Sequence, residues 1–257
     1  NKFLGAYNLT YTINSNFNFN AAYAFESRDY NSINDTPYDS YQIDSSLEGF
    51  GYSKGALSMY NFKDNSQTLN GTLNYAQEFG ELDVKGKISY LVEDRSTNSF
   101  TASGQDYLYQ GLPTLDNFDS STISINSNTT TVRSQNYSGI VGLVYQDKYI
   151  LDGLYRNDGS SLFGADEKWN SYYRVSGAWR ITEDFSIPGI DEMKINVALG
   201  TSGNRPGFNW QYEQVALNGG SLSSNRLKGN SKLKPSETSE LEYGLNITFG
   251  DSRYTFE

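Results

Sequence analysis

The sequence predicts an all-β protein, an antiparallel transmembrane β-barrel of which about ten strands are present, with long external loops. Three observations carry this. Stripes of alternate apolar residues recur along all 257 residues, the connections between them alternate between short and long, and the composition favours strands over helices. Aromatic residues make up 15%, led by 21 Tyr, while Met is nearly absent and Asn, Ser, Thr and Gly are plentiful, a mixture that suits strands joined by turns. No apolar run approaches the roughly 18 residues a membrane helix needs. The mean hydropathy of −0.61 does not count against a membrane location, because lipid-facing and lumen-facing residues cancel in any window.

The stripes follow in chain order. Phe3, Tyr7, Leu9 and Tyr11 form the first. In the second, Phe17, Phe19, Ala21, Tyr23 and Phe25 oppose Asn18, Asn20, Ala22, Ala24 and Glu26. Leu69, Leu73 and Tyr75 come next, and then Leu82, Val84, Gly86, Ile88 and Tyr90 against Asp83, Lys85, Lys87 and Ser89. Tyr137, Val141, Leu143 and Tyr145 form another, followed by Tyr149, Leu151 and Tyr155, and by Tyr173, Val175 and Trp179. Met193, Ile195, Val197 and Leu199 precede the clearest stripe, in which Leu241, Tyr243, Leu245, Ile247 and Phe249 oppose Glu240, Glu242, Gly244, Asn246 and Thr248. Tyr254 and Phe256 begin a last strand. Each is a period-2 pattern, with one face for each environment.

The connections sort by length. Tight turns are expected at Asn14–Asn16, Glu78–Glu81, Gln146–Lys148 and Gly250–Ser252, with a modest one from Glu183 to Asp191. Long loops are expected after the second strand to about Gln67, from about Asp94 to Ser134, from Asn157 to Asn170 and from Ser202 to Ser236. Tight periplasmic turns alternating with extended external loops are the outer-membrane arrangement, and strands of about ten to twelve residues are long enough to cross a bilayer when tilted. A soluble β-sandwich would also alternate, but it would not sort its connections in this way.

Several functions are excluded by composition. The chain has no Cys and no His, which removes Cys or His nucleophiles and bases, serine triads, the usual zinc sites and disulfides. A net charge of −10 argues against nucleic acid, which needs a basic face. Among 30 acidic residues some carboxylate pair is always available, so a glycosidase pair carries no information. Asp35, Asp39 and Asp44 could ring a calcium ion, but their spacing matches no calcium loop and a solvated loop is the better reading. No cofactor or metal is expected, and the chain is not expected to be an enzyme.

Three stretches carry a family resemblance. The first is Arg156-Asn157-Asp158-Gly159-Ser160-Ser161-Leu162-Phe163-Gly164, preceded by Asp147-Lys148-Tyr149-Ile150-Leu151. The second is Val175-Ser176-Gly177-Ala178-Trp179-Arg180-Ile181-Thr182-Glu183. The third is Leu233-Lys234-Pro235-Ser236-Glu237-Thr238 running into Leu241-Glu242-Tyr243-Gly244-Leu245, with Gly203-Asn204 upstream. Together they resemble the barrel of SusC-like TonB-dependent transporters, in family order, whereas the first 130 or so residues match only in style. The chain departs from the pattern at Tyr172-Tyr173-Arg174, where the family often has an aromatic–Pro pair, and at Leu241, where it often has Trp. Read physically, Asp158-Gly159-Ser160-Ser161 is turn chemistry, Pro235 biases Lys234 toward extended backbone, and Trp179 suits an aromatic girdle.

The resemblance implies a bacterial outer-membrane barrel of about 22 strands enclosing a plug. It also implies a SusD-like surface lipoprotein as a lid, and import of oligosaccharides or peptides powered by TonB through the plug. Residues 1–257 would then be an internal fragment of a single barrel domain, surrounded by outer-membrane lipid and by the remaining strands of the same polypeptide. Tyr107, Tyr109, Trp169, Phe208, Trp210 and Tyr212 fall in the expected external loops and are the candidates for contact with a ligand or the lid protein. The competing role for each is to form the small core that a large loop needs. Two other functions fit a β-rich chain, a complete ten-stranded barrel enzyme and a soluble adhesin. The missing His weakens the enzyme, and an adhesin would have to expose the apolar stripes to water.

Overall fold

A computed structural model describes all residues except Asp39, 45–48 and 219–220, and describes side chains except also those of 40–44, 49–53, 216–218 and 223–226. The strands are β1 (Lys2–Thr12), β2 (Phe17–Thr36), β3 (Ser40–Asp44), β4 (Gly49–Ser53), β5 (Ala56–Phe79), β6 (Leu82–Gln105) and β7 (Ser124–Tyr145). They continue as β8 (Tyr149–Ser160), β9 (Trp169–Arg180), β10 (Ile190–Asn204), β11 (Gln214–Asn218), β12 (Ser221–Leu227), β13 (Ser236–Phe249) and β14 (Tyr254–Phe256). Ten of them make one antiparallel sheet in the order β1-β2-β5-β6-β7-β8-β9-β10-β13-β14, and β3–β4 and β11–β12 are separate hairpins. The described sheet is open, with β1 and β14 at its edges.

Contacts divide the chain into two compact units, one of residues 1–5, 24–67 and 94–131, the other of 6–23, 68–93 and 132–257. In the second, the register settles which side chains share a face. Tyr149 lies opposite Trp179, Leu151 opposite Gly177, Gly153 opposite Val175 and Tyr155 opposite Tyr173. Across β10 and β13, Ile195 meets Leu245, Val197 meets Tyr243 and Leu199 meets Leu241. The apolar stripes are therefore continuous over the sheet, and they point away from protein: Val175 is 52% exposed and Tyr243 75%. In water such a face would be a large unburied apolar surface, whereas in a bilayer it is covered by hydrocarbon. Asp152, Arg156, Arg174, Lys194, Asn196, Glu240 and Glu242 take the alternate, inward positions.

Aromatic rings bound the apolar band. At the end that bears the tight turns Tyr145, Tyr149 and Trp179 follow one another with centroids 6.5 and 6.2 Å apart. At the opposite end Tyr90 stacks on Tyr137 at 4.6 Å, and Tyr137 meets Trp169 at 5.8 Å. The tight turns lie where they were expected. Gly80, alone in the β5–β6 turn in having a positive φ (63°), gives the pattern of a type II′ turn. Gln146 and Asp147 both have positive φ, and Lys148 N donates to Tyr145 O at 3.0 Å, the type I′ arrangement. Asp184, in the β9–β10 connection, accepts from Lys148 Nζ (2.8 Å), Tyr149 OH (2.7 Å) and Trp179 Nε1 (2.9 Å). Those three donors, Lys148 first, pull its carboxyl down to about 2.

The two longest expected loops are corrected. β2 continues to Thr36 and β5 begins at Ala56, while β6 continues to Gln105 and β7 begins at Ser124. Strands expected to be about ten to twelve residues long are in fact 20 to 24 there. Beyond the bilayer the outward face is no longer required to be apolar, so alternation fades although the backbone keeps its ladder; the polar run Ser124-Ile125-Asn126-Ser127-Asn128-Thr129-Thr130 is strand nonetheless. Trp169, expected in a loop, is the first residue of β9.

The first unit has a core of its own. Leu57 (1% exposed), Tyr107 and Phe118 are buried together, with Tyr38, Met59, Leu115 and Ile123 against them. The Tyr107 ring lies 4.3 Å from Phe118, and its hydroxyl donates to Asp35 Oδ1 at 2.8 Å. Asn117, also buried, closes the loop: its Oδ1 accepts from Tyr109 N (2.9 Å), and its Nδ2 donates to Tyr109 O (2.6 Å) and Leu112 O (2.9 Å). Such a side chain replaces the ladder partners a loop lacks. Asp35 is thus a hydrogen-bond acceptor for Tyr107; Asp39 and the Asp44 side chain, the other two candidates for a calcium loop, lie outside the described residues. Among the described residues no cluster of acidic side chains gathers as a metal site.

Candidate functional site

The motif-bearing loops converge in the second unit. The segment after β8 folds onto the segment before β13: Gly164 N donates to Leu233 O at 2.8 Å, Asp166 N to Ser231 O at 3.0 Å, and Ser231 Oγ to Asp166 Oδ2 at 2.8 Å. Lys234 Nζ adds an ion pair to Glu167 at 3.4 Å. Gly164 is required by this approach, since a Cβ there would strike the Ser231 carbonyl. Phe163 is only 2% exposed and anchors the turn, and Gln211 Nε2 donates to Ser161 O. Two of the three motifs read from the sequence thus touch each other through main-chain hydrogen bonds.

Below that junction the inward face carries a charged network. Arg156 pairs with Asp158, Arg205 Nη2 reaches Glu93 Oε2 at 3.3 Å, and Ser134 Oγ donates to the same oxygen at 2.6 Å. Ser134, Asn136, Asp158, Ser160 and Tyr172 are all buried around it. A further recess of about 250 Å³ on the inward face sets Arg174 against Glu240 and Glu242 over a floor of Ala198 and Gly200. Charges of both signs in fixed positions can hold a polar, zwitterionic or hydroxyl-rich solute, but no group here is placed as a nucleophile and base pair. Glu93, Ser134, Tyr172 and Arg205 carry no motif; inward parity is the available signal for Glu93, Ser134 and Tyr172, while Arg205 follows the end of β10 and has none.

The six aromatic candidates are separated by the structure. Tyr107 is 4% exposed and forms part of the loop core, and burial followed by the Asp35 bond pushes its hydroxyl up to about 12. Trp169 lies on the outward face, against Tyr137 and over Gly159, as part of the girdle. Tyr109 is 69% exposed. Phe208, Trp210 and Tyr212 share one turn: Phe208 is half-buried with its ring 5.9 Å from Tyr212, while Trp210 and Tyr212 are exposed. That turn is fixed by Tyr212 N donating to Asn209 O (3.2 Å) and Asn230 N to Trp210 O (3.2 Å). Four rings therefore remain presented to solvent or half-presented, three of them adjacent.

Comparison with known proteins gives the class. No family model matches the chain. TonB-dependent receptor P26 of Formosa agariphila (strain DSM 15362 / KCTC 12365 / LMG 23005 / KMM 3901 / M-2Alg 35-1) is 28% identical over 140 residues, which are 52% of this chain and 14% of that protein. TonB-dependent receptor P39 of the same strain is 29% identical over 131 residues, 47% of the chain and 12% of the relative. The chain thus matches only a small part of the length of either relative. Among solved structures, the RagAB peptide transporter superposes with a TM-score of 0.82 over 99% of this chain and 30% of that one, at 14% identity. The siderophore receptor PiuA from Acinetobacter baumannii superposes with a TM-score of 0.56 over 98% of the chain and 38% of that one, also at 14% identity. The chain has the fold of part of the barrel wall of these transporters and is similar in sequence to TonB-dependent receptors, and its location is the outer membrane.

Proposed function

We propose that residues 1–257 form part of the wall and external loop surface of a transporter that imports nutrients of the oligosaccharide or peptide class, with no catalytic step. The observation that carries this is the match of the whole described sheet, long external strands included, to the RagAB peptide transporter. In this proposal the chain lies within one larger barrel domain, whose remaining strands and plug come from the same polypeptide, and TonB acts through that plug. A SusD-like lipoprotein covers the external loops. Phe208, Trp210, Tyr212 and Tyr109 meet the solute or the lid, since planar rings at a rigid turn stack on sugars and side chains at little entropic cost. Tyr107 supports the loop that carries Tyr109 from within the loop core, and Trp169 belongs to the girdle.

The test is uptake by cells carrying the full-length gene, with labelled oligopeptides and labelled oligosaccharides as alternative solutes, in the presence and absence of TonB. TonB-dependent accumulation of one class supports the proposal. Accumulation unchanged by deleting the gene would sink it. Replacing Trp210 and Tyr212 by Ala should raise the solute concentration for half-maximal uptake about tenfold, equivalent to losing a ring contact of roughly 1–2 kcal/mol. Barrel assembly should be unaffected.

A further inference from the structure

The lipid-facing side of the sheet is not evenly filled. Where the rows of outward side chains pass from β5 to β9, Gly86, Gly139 and Gly153 leave gaps that merge into a trough of about 750 Å³. Tyr75, Ile88, Val141, Tyr155, Tyr173 and Val175 wall it. Lys87 and Arg174 also border it, but alternation turns both to the inward face. The glycines are not demanded by the backbone, since none of the three has a positive φ. Packing does not demand them either. A Cβ at Gly139 would meet nothing within 4 Å, one at Gly86 only Tyr75 at 3.6 Å, and one at Gly153 only Val141 at 3.4 Å. A glycine inside a strand weakens it and packs nothing, so three around one empty volume need another explanation.

We propose that the trough is a binding groove for an acyl chain of an outer-membrane lipid, held at a fixed place on the barrel wall. The occupant follows from position and chemistry. β5 to β9 are contiguous in the sheet, so no other strand of the barrel can cover this surface. The trough is continuous with the apolar face bounded by the two girdles, running from Phe17 and Tyr75, close to the tight turns, to Gly139, next but one to the girdle residue Tyr137. Its outward lining is aliphatic and aromatic, so a polar ligand would lose its hydration without compensation. Its volume falls within the range of about 300–1,000 Å³ that sites for small molecules occupy. A chain lying there gains contact on three sides, against one for a lipid on a flat stretch of wall.

The experiment uses the full-length protein in vesicles containing phosphatidylethanolamine with a photoactivatable diazirine on its acyl chain, followed by peptide mapping of the cross-links. Labelling within residues 139–155 should exceed that on the β10 and β13 face about tenfold. It should be lost in Gly139→Leu/Gly153→Leu and kept in Gly177→Leu, which adds the same bulk on the same face outside the trough. If the double variant does not assemble, Val141→Phe narrows the trough from its wall without touching a glycine and should give the same loss. Even labelling across the face, or labelling unchanged by filling the trough, overturns the proposal. So does labelling that falls on a co-purified membrane protein in place of residues 139–155. None of these readouts depends on transport.

Discussion

The two compact units use the same element, a long antiparallel strand, and keep their apolar residues on opposite terms. In the sheet from β7 to β13 the large apolar side chains point away from protein, with Leu151 49% and Val175 52% exposed. In the unit that gathers residues 24–67 and 94–131, Leu57, Tyr107 and Phe118 turn inward and are sealed. The first arrangement is stable only in hydrocarbon, and the second carries its own core, as an extended loop in water must. A strand ladder supplies backbone pairing in both, so what differs is where the apolar surface is hidden.

The comparison breaks most readily at Phe118. Phe118→Ala should destabilise the loop core by about 3–5 kcal/mol, the usual loss for a buried aromatic. The readout is faster hydrogen exchange across residues 106–123, with exchange in β8 and β9 unchanged. Next comes the lipid face. Leu245→Arg should cost about 2–4 kcal/mol in urea unfolding of the full-length barrel in vesicles. Asn246→Arg, turned inward, should cost under about 1 kcal/mol, arising from the like charge of Lys194 opposite it. Equal costs would mean that the two faces had been exchanged.

Two smaller effects are read by titration. The hydroxyl of Tyr107 is held up at about 12 against an ordinary 10.0, so its hydrogen bond to Asp35 is intact below pH 10.0 and is lost as pH climbs toward 12. Alkaline opening of the 106–123 loop should therefore fall in that window in the native protein and be absent from it in Tyr107→Phe. Asp184 behaves in the opposite sense. Its carboxyl is held down at about 2 against an ordinary 3.8, so its contribution is present above pH 3.8 and is lost as pH falls toward 2. Asp184→Asn should remove that acid limb from the stability profile of the full-length barrel.

How far the sequence could be read follows the same division. The ten strands of the sheet, their lipid faces and every tight turn were legible, because a bilayer imposes strict alternation and short turns leave Gly, Asn and Asp at fixed places. The extensions of β2, β5, β6 and β7 were not, because a strand outside the hydrocarbon has no continuous apolar face to mark it, and the few residues it seals, such as Leu57 and Ala102, make no stripe. For Tyr107 the sequence leaves two roles open, contact and loop core, because nothing local distinguishes an exposed loop ring from one sealed by Leu57, more than forty residues earlier. The motif residues 156–164 were visible as turn chemistry, yet their contact with 231–233 is tertiary and leaves no local trace. Likewise the inward network of Glu93, Ser134 and Arg205 is assembled from three separate strands and loops.

The junction of Gly164 with Leu233 and of Asp166 with Ser231 also has a consequence in time. These bonds join segments on either side of β9 and β10, so their closure is favoured once the β8–β9 and β10–β13 pairs have formed and met in register. Closing so long a loop for a few hydrogen bonds is unfavourable until the intervening strands hold its ends together. The junction is therefore a late event in the assembly of the wall. A one-residue slip anywhere between β8 and β13 would leave Gly164 facing the wrong carbonyl, and the external loops would stay undocked on a barrel that had not finished folding.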